Sequence, residues 1–115
     1  MHISNLNRVN KIKPNMEGAE AVYKQIPLSR DNGAPVFSFR VFTIEPGGHT
    51  SHHNHPFEHM NYIIEGSGTL FCEDREYDVE KGDFALVLPG ETHQYRNNSN
   101  NKPMIMICAV PKEYE

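Results

Sequence analysis

The segment Gly47-Gly48-His49-Thr50-Ser51-His52-His53-Asn54-His55-Pro56-Phe57-Glu58-His59 holds five of the chain's seven histidines. Downstream, Pro89-Gly90-Glu91-Thr92-His93 sets another just after a tight turn. Neutral imidazole is the commonest protein ligand for transition metals, and several on one short segment point to a metal site. In an extended chain residues two apart face the same way, so His53 and His55 can point together. His59 keeps their parity across Pro56, and His93 is placed to complete the set. The plain alternative is a histidine-rich surface loop with adventitious metal affinity. The flanking glycines and the distant Pro-Gly-x-x-His weigh against it.

Outward from this segment the chain reads as short strands between turn signals. Val36 to Ile44 is rich in Phe and Val and predicts a buried strand, which Glu45-Pro46-Gly47-Gly48 is expected to stop. His59 to Ile64 predicts the next, ending at Gly66-Ser67-Gly68. Thr69 to Cys72 and Glu76 to Val79 predict hairpin arms around Glu73-Asp74-Arg75. Phe84 to Leu88, His93 to Asn97 and Met104 to Val110 complete the series. No segment after residue 33 sustains a helical period. Eight or so short strands in one small chain predict an all-β sandwich or barrel. Residues 1–25 carry less pattern and are read as an N-terminal arm or edge strand, with a single domain over 26–115.

The bulk numbers narrow the function. At 115 residues the chain is one domain with room for a core, and 37% apolar residues suit a folded, soluble protein. A formal charge of −4 and a pI near 5.9 provide no basic patch, so nucleic acid is not an expected partner. No apolar run is long enough for a membrane span, and Met1 to Asn15 lacks the apolar core of a secretory signal. A cytoplasmic location is expected. Cys72 and Cys108, unpaired in any CxxC, are then expected to be free thiols.

Two spacings in order resemble the cupins. Their first motif, G-x5-H-x-H-x(3 or 4)-E-x6-G, is matched by Gly47, His53, His55 and Gly66, with His59 where the Glu stands. Their second, G-x5-P-x-G-x2-H-x3-N, is matched by Gly82, Gly90, His93 and Asn97, with Leu88 in the Pro slot and Pro89 displaced by one. The likeness covers about Phe37 to Val110. It is nearest to small manganese-binding cupins with four histidines, in which the first motif runs H-x-H-P-(F/W)-E-H. The ending Ile107-Cys108-Ala109-Val110-Pro111-Lys112-Glu113 is also similar to theirs. The resemblance implies a double-stranded β-helix, or jelly-roll barrel, with one divalent metal held by His53, His55, His59 and His93. Mn or Fe leads, with Zn, Ni, Cu and Co as further candidates. Homodimers are also implied, and residues 1–25 are expected to cover a partner's sheet edge.

Around such a metal, Arg40 reads either as a salt-bridged or snorkelling side chain or as a clamp for an anion. Met106 and Cys108 share one face of the last strand. Tyr95 should face inward with His93, Asn61 inward with His59, and Phe57 toward the rim. Glu58 has the opposite parity and is read as supporting a ligand or pairing with a surface cation. Asn97 is expected to hold a turn by side-chain hydrogen bonds. The leading expectation is a metal-dependent, dioxygenase-like oxidoreductase acting on a small substrate such as a carboxylate or phenol. The alternatives are a non-redox isomerase or decarboxylase, and a non-enzymatic sensing or binding domain.

Overall fold

A computed structural model describes all 115 residues. Eight strands form one antiparallel sheet that curls around the core: β1 (Glu20–Leu28), β2 (Phe37–His49), β3 (His59–Glu65), β4 (Ser67–Cys72), β5 (Arg75–Glu80), β6 (Phe84–Val87), β7 (His93–Arg96) and β8 (Met104–Pro111). Their lateral order is β5-β4-β7-β2-β8-β3-β6, with β1 pairing β2. This is the all-β jelly-roll arrangement. No helix is long and apolar enough to cross a membrane.

Alternation places the core. Along β8, Met104, Met106, Cys108 and Val110 are all at most 3% exposed, while the residues between them are half-buried. Val22, Phe42, Ile44, Ile63, Leu70 and Tyr95 close over them from neighbouring strands. Register then sets a functional row. Cys108 lies opposite Arg40 of β2 on one side and opposite Asn61 of β3 on the other. All three side chains are buried.

One expectation is corrected. Glu45-Pro46-Gly47-Gly48 does not stop the first strong strand, because β2 runs on to His49. Gly47, at φ +77°, lets the backbone turn a corner there. Residues 37–44 therefore pair with β8, while His49 reaches β7 opposite Arg96. Within residues 1–25, read as an arm or edge strand, a strand begins at Glu20. β1 crosses residue 25 and pairs with β2 of the same chain, and Ile12 bridges Lys24. Ile12, Met16 and Ala19 are too widely spaced in polar sequence to announce this.

Asn97 is fully buried. Its amide donates to the carbonyls of Ile44 (2.9 Å) and Lys102 (2.8 Å), and its Oδ1 accepts from the Ser99 N–H at 2.9 Å. These bonds tie the loop between β7 and β8 to the corner of β2.

Candidate metal centre

The segment between β2 and β3 carries His53 and His55, and the start of β3 carries His59. His53 is bridged backbone to backbone with His93 at the start of β7 (N···O 3.2 and 2.9 Å). The ligand atoms of His53, His55 and His93 all lie within 4.8 Å of one another. Adjacent donors about 2.1 Å from a single ion stand about 3.0 to 3.4 Å apart, so closing on one requires up to about an ångström of side-chain movement.

Two of these rings have a defined tautomer. His55 Nδ1 donates to the Phe57 carbonyl at 2.7 Å, and His93 Nδ1 donates to the Glu91 carbonyl at 2.9 Å. Both therefore present an Nε2 lone pair to the cluster. His55 Nε2 is buried and has no partner at all. An orphaned acceptor aimed among other imidazoles fits a cation at that position. Burial lowers the pKa of every ring in the cluster. That of His53 falls to about 4 and that of His59 to about 2, the latter helped by the Arg40 charge. Those of His55 and His93 also fall through burial, partly offset by their carbonyl bonds. The set is thus neutral and able to ligate at pH 7.

His59 sits beside this trio, its ring centroid 4.1 Å from that of His55 and 5.3 Å from that of His93. Its Nε2 lies 3.1 Å from Arg40 Nη2. A guanidinium only donates, so here His59 accepts. Arg40 also donates to Cys108 Sγ (3.1 Å) and to the Tyr114 carbonyl (3.4 Å). It has no ion pair; the chain's one salt bridge joins Arg30 and Glu115. Glu58 likewise pairs with no cation.

The histidines face a cavity of about 110 Å³ whose wall also includes Arg40, Phe57, Tyr95, Met106 and Cys108. Asn61, expected at the wall, stands behind it and donates to Tyr95 Oη at 2.7 Å. Burial raises the pKa of Tyr95 to about 12, and it raises that of the Cys108 thiol, with Arg40 pulling the thiol back. Met16, Phe42 and Thr50 complete the wall and were not singled out from sequence. Thr50 had a signal, lying inside the first histidine motif. His55, Phe57 and Tyr114 form a stacked column, with successive centroids 4.0 Å apart. His52 is exposed.

The cupin family model, described as a cupin domain, matches residues 40–110. The chain is a cupin. An uncharacterised protein of Methanocaldococcus jannaschii is 30% identical to it over 103 residues, 89% of this chain and 82% of that protein. The cupin superposes on the polyketide cyclase RemF from Streptomyces resistomycificus with a TM-score of 0.92 at 24% identity, covering 97% of this chain and 80% of that one. A predicted oxalate decarboxylase from Thermotoga maritima gives 0.83 at 20% identity, covering 96% and 98%. Ectoine synthase from P. lautus gives 0.78 at 20%, covering 97% and 78%. At these identities the solved structures establish the fold. A cluster of three histidines suited to a metal, inside that fold, belongs to this cupin's own geometry.

Proposed function

We propose that this cupin is a metal-dependent oxidoreductase of the dioxygenase type, with Mn or Fe held by His53, His55, His59 and His93, acting on a small organic substrate. The observation that carries it is the convergence of neutral imidazole nitrogens, one buried and partnerless, on a small cavity. His59 joins the other three by exchanging its hydrogen bond from Arg40 for the ion. Four imidazoles add no charge, so a divalent ion keeps its full +2, unlike one with a carboxylate in the His59 slot. When bound, such an ion supplies Lewis acidity and redox chemistry at a raised potential. The carbonyls of Phe57 and Glu91 hold two of the ligands in the required tautomer. Tyr95 and Cys108 stay protonated at neutral pH, so the wall offers no ready general base. That favours chemistry centred on the metal.

Metal analysis of protein purified without added metal, followed by oxygen uptake with phenolic and small carboxylic substrates, tests this. Mn or Fe with substrate-dependent oxygen consumption is expected. Predominant Zn, or Mn or Fe without oxygen consumption, would overturn the redox reading in favour of Lewis-acid chemistry or ligand sensing.

We also propose that the functional unit is a homodimer. The outer face of β2, β8, β3 and β6 is an apolar groove lined by Phe39, Met60, Tyr62, Phe84, Leu86 and Ile107. Phe84 is 80% and Leu86 62% exposed. With large side chains offering on the order of 200 Å² each, the face presents roughly 500 Å², most of the ~800 Å² per partner that a stable interface buries. A second copy is the occupant that every molecule has at hand. Sedimentation should show a dimer that Phe84→Glu converts to monomer. A monomeric parent protein, or an unaffected variant, would refute it.

A further inference from the structure

Arg40 is a buried cation without an anion. It is 7% exposed, its Nε has no partner, and its other N–H groups reach only neutral acceptors on His59, Cys108 and Tyr114. The Phe42 ring, 5.0 Å from the guanidinium carbon, is the remaining compensation. A buried charge left unpaired costs several kcal/mol. Nothing in the packing of β2 requires a cation there, since its neighbours in the row are a thiol and an amide.

A second cation looks into the same space. Lys24 on β1 lies in register with Phe42, and its Nζ makes neither an ion pair nor a hydrogen bond. Its pKa is lowered by burial and then by the Arg40 charge, with Glu115 pulling the other way. Glu115 is already engaged by Arg30 and Ser38. Lys24 and Arg40 both line an outer groove that joins the histidine cavity across Arg40, Phe42 and His53. Glu17, the one carboxylate on that groove, is exposed and pairs with neither cation. Two like charges held toward one opening repel, and an anion bound between them offsets that repulsion by attracting both.

We infer that Arg40 and Lys24 form the seat for the carboxylate of an acidic substrate whose reacting end enters the histidine cavity. The planar Arg40 fork matches both carboxylate oxygens, and the Lys24 ammonium adds a mobile charge on the solvent side. Size agrees. A cavity of about 110 Å³ admits about four water-sized groups, so an acid larger than acetate must extend into the outer groove, past these two cations. The inference rests on the proposed metal site only for where the reacting end lies.

The test is equilibrium binding to the metal-loaded protein of small acids from formate to phenylacetate, with formamide to phenylacetamide as uncharged counterparts. At least one acid should bind about tenfold or more tightly than its amide, the value of a lost charge-assisted bond. Lys24→Gln should weaken that acid several-fold while leaving amide affinity and metal content unchanged. Arg40→Lys, which keeps the charge and loses the fork, should weaken it further. Acids no tighter than amides, no acid bound at all, or a Lys24→Gln variant that binds acid like the parent would each overturn the seat. The two readings fail separately. Acid-selective binding without oxygen consumption leaves the seat and removes the oxygenase; oxygen consumption with neutral phenols and no acid preference does the reverse.

Discussion

Removing the Tyr95 hydroxyl should destabilise the cavity wall by an amount that its one contact defines. Tyr95 is 1% and Asn61 2% exposed, and Asn61 Nδ2 donates to Tyr95 Oη at 2.7 Å. The other end of that amide, Oδ1, has no partner. In Tyr95→Phe the buried amide loses its only hydrogen bond, a cost of about 2 kcal/mol. An unfolding entropy of about 2.1 cal/mol/K per residue over 115 residues is about 0.24 kcal/mol/K, so the melting temperature should fall by about 8 °C. Replacing both partners removes the stranded amide as well. Tyr95→Phe with Asn61→Leu should therefore melt within about 3 °C of the parent. Thermal unfolding followed by circular dichroism, with all proteins stripped of metal to remove ligand linkage, makes the comparison. A drop of less than about 2 °C in the single variant, or a double variant less stable than the single, would refute the reasoning.

Acid should weaken the metal-stripped protein through its histidines. Above pH about 6.5 they are neutral folded or unfolded. Below it the unfolded rings take up protons that folded His53, with its pKa near 4, and His59, near 2, refuse. Stability is therefore full above pH 6.5 and falls toward pH 4 and below; urea midpoints flat between pH 8 and 5 would contradict this. Gly66→Ala should lower the urea midpoint by an amount worth about 3 kcal/mol, since the residue has φ +78° and a Cβ would stand 2.2 Å from the Pro103 carbonyl oxygen. Asn97→Ala, losing three buried hydrogen bonds, should cost about 3 kcal/mol by the same assay.

The strands from Phe84 onward stand in the sequence almost to the residue, because Lys81-Gly82-Asp83, Pro89-Gly90 and the Asn98–Pro103 loop leave no room for anything longer. The hairpin of β4 and β5 is set by its turn at Glu73 and Asp74, although Ser67 and Gly68, read as part of a stop, belong to β4. The corner in β2 was hidden. Pro46-Gly47-Gly48 has the composition of a stop, and only pairing to both β8 and β7 reveals a strand that bends and continues. His53 and His55 were legible by spacing and parity, which depend on local backbone alone, whereas His93 reaches them through a long-range bridge to His53. What Arg40 touches was not legible, because the answer lies in Cys108, brought opposite it by the register of β8, and in Tyr114 just beyond that strand. Lys24, Met16 and Tyr114 illustrate the general limit. Each joins the site through pairing or packing with a strand remote from it in sequence, and none belongs to a periodic pattern that would mark it.

The measurement bearing most directly on the metal centre is metal content per chain after dialysis, compared between the parent protein and His55→Ala. His55 carries the partnerless buried Nε2, and its loss should be felt more as lost binding than as lost folding. About one Mn or Fe per parent chain and almost none in a folded His55→Ala is the expected result. A parent that retains and takes up no metal, or a variant that holds it as well as the parent, would contradict the account.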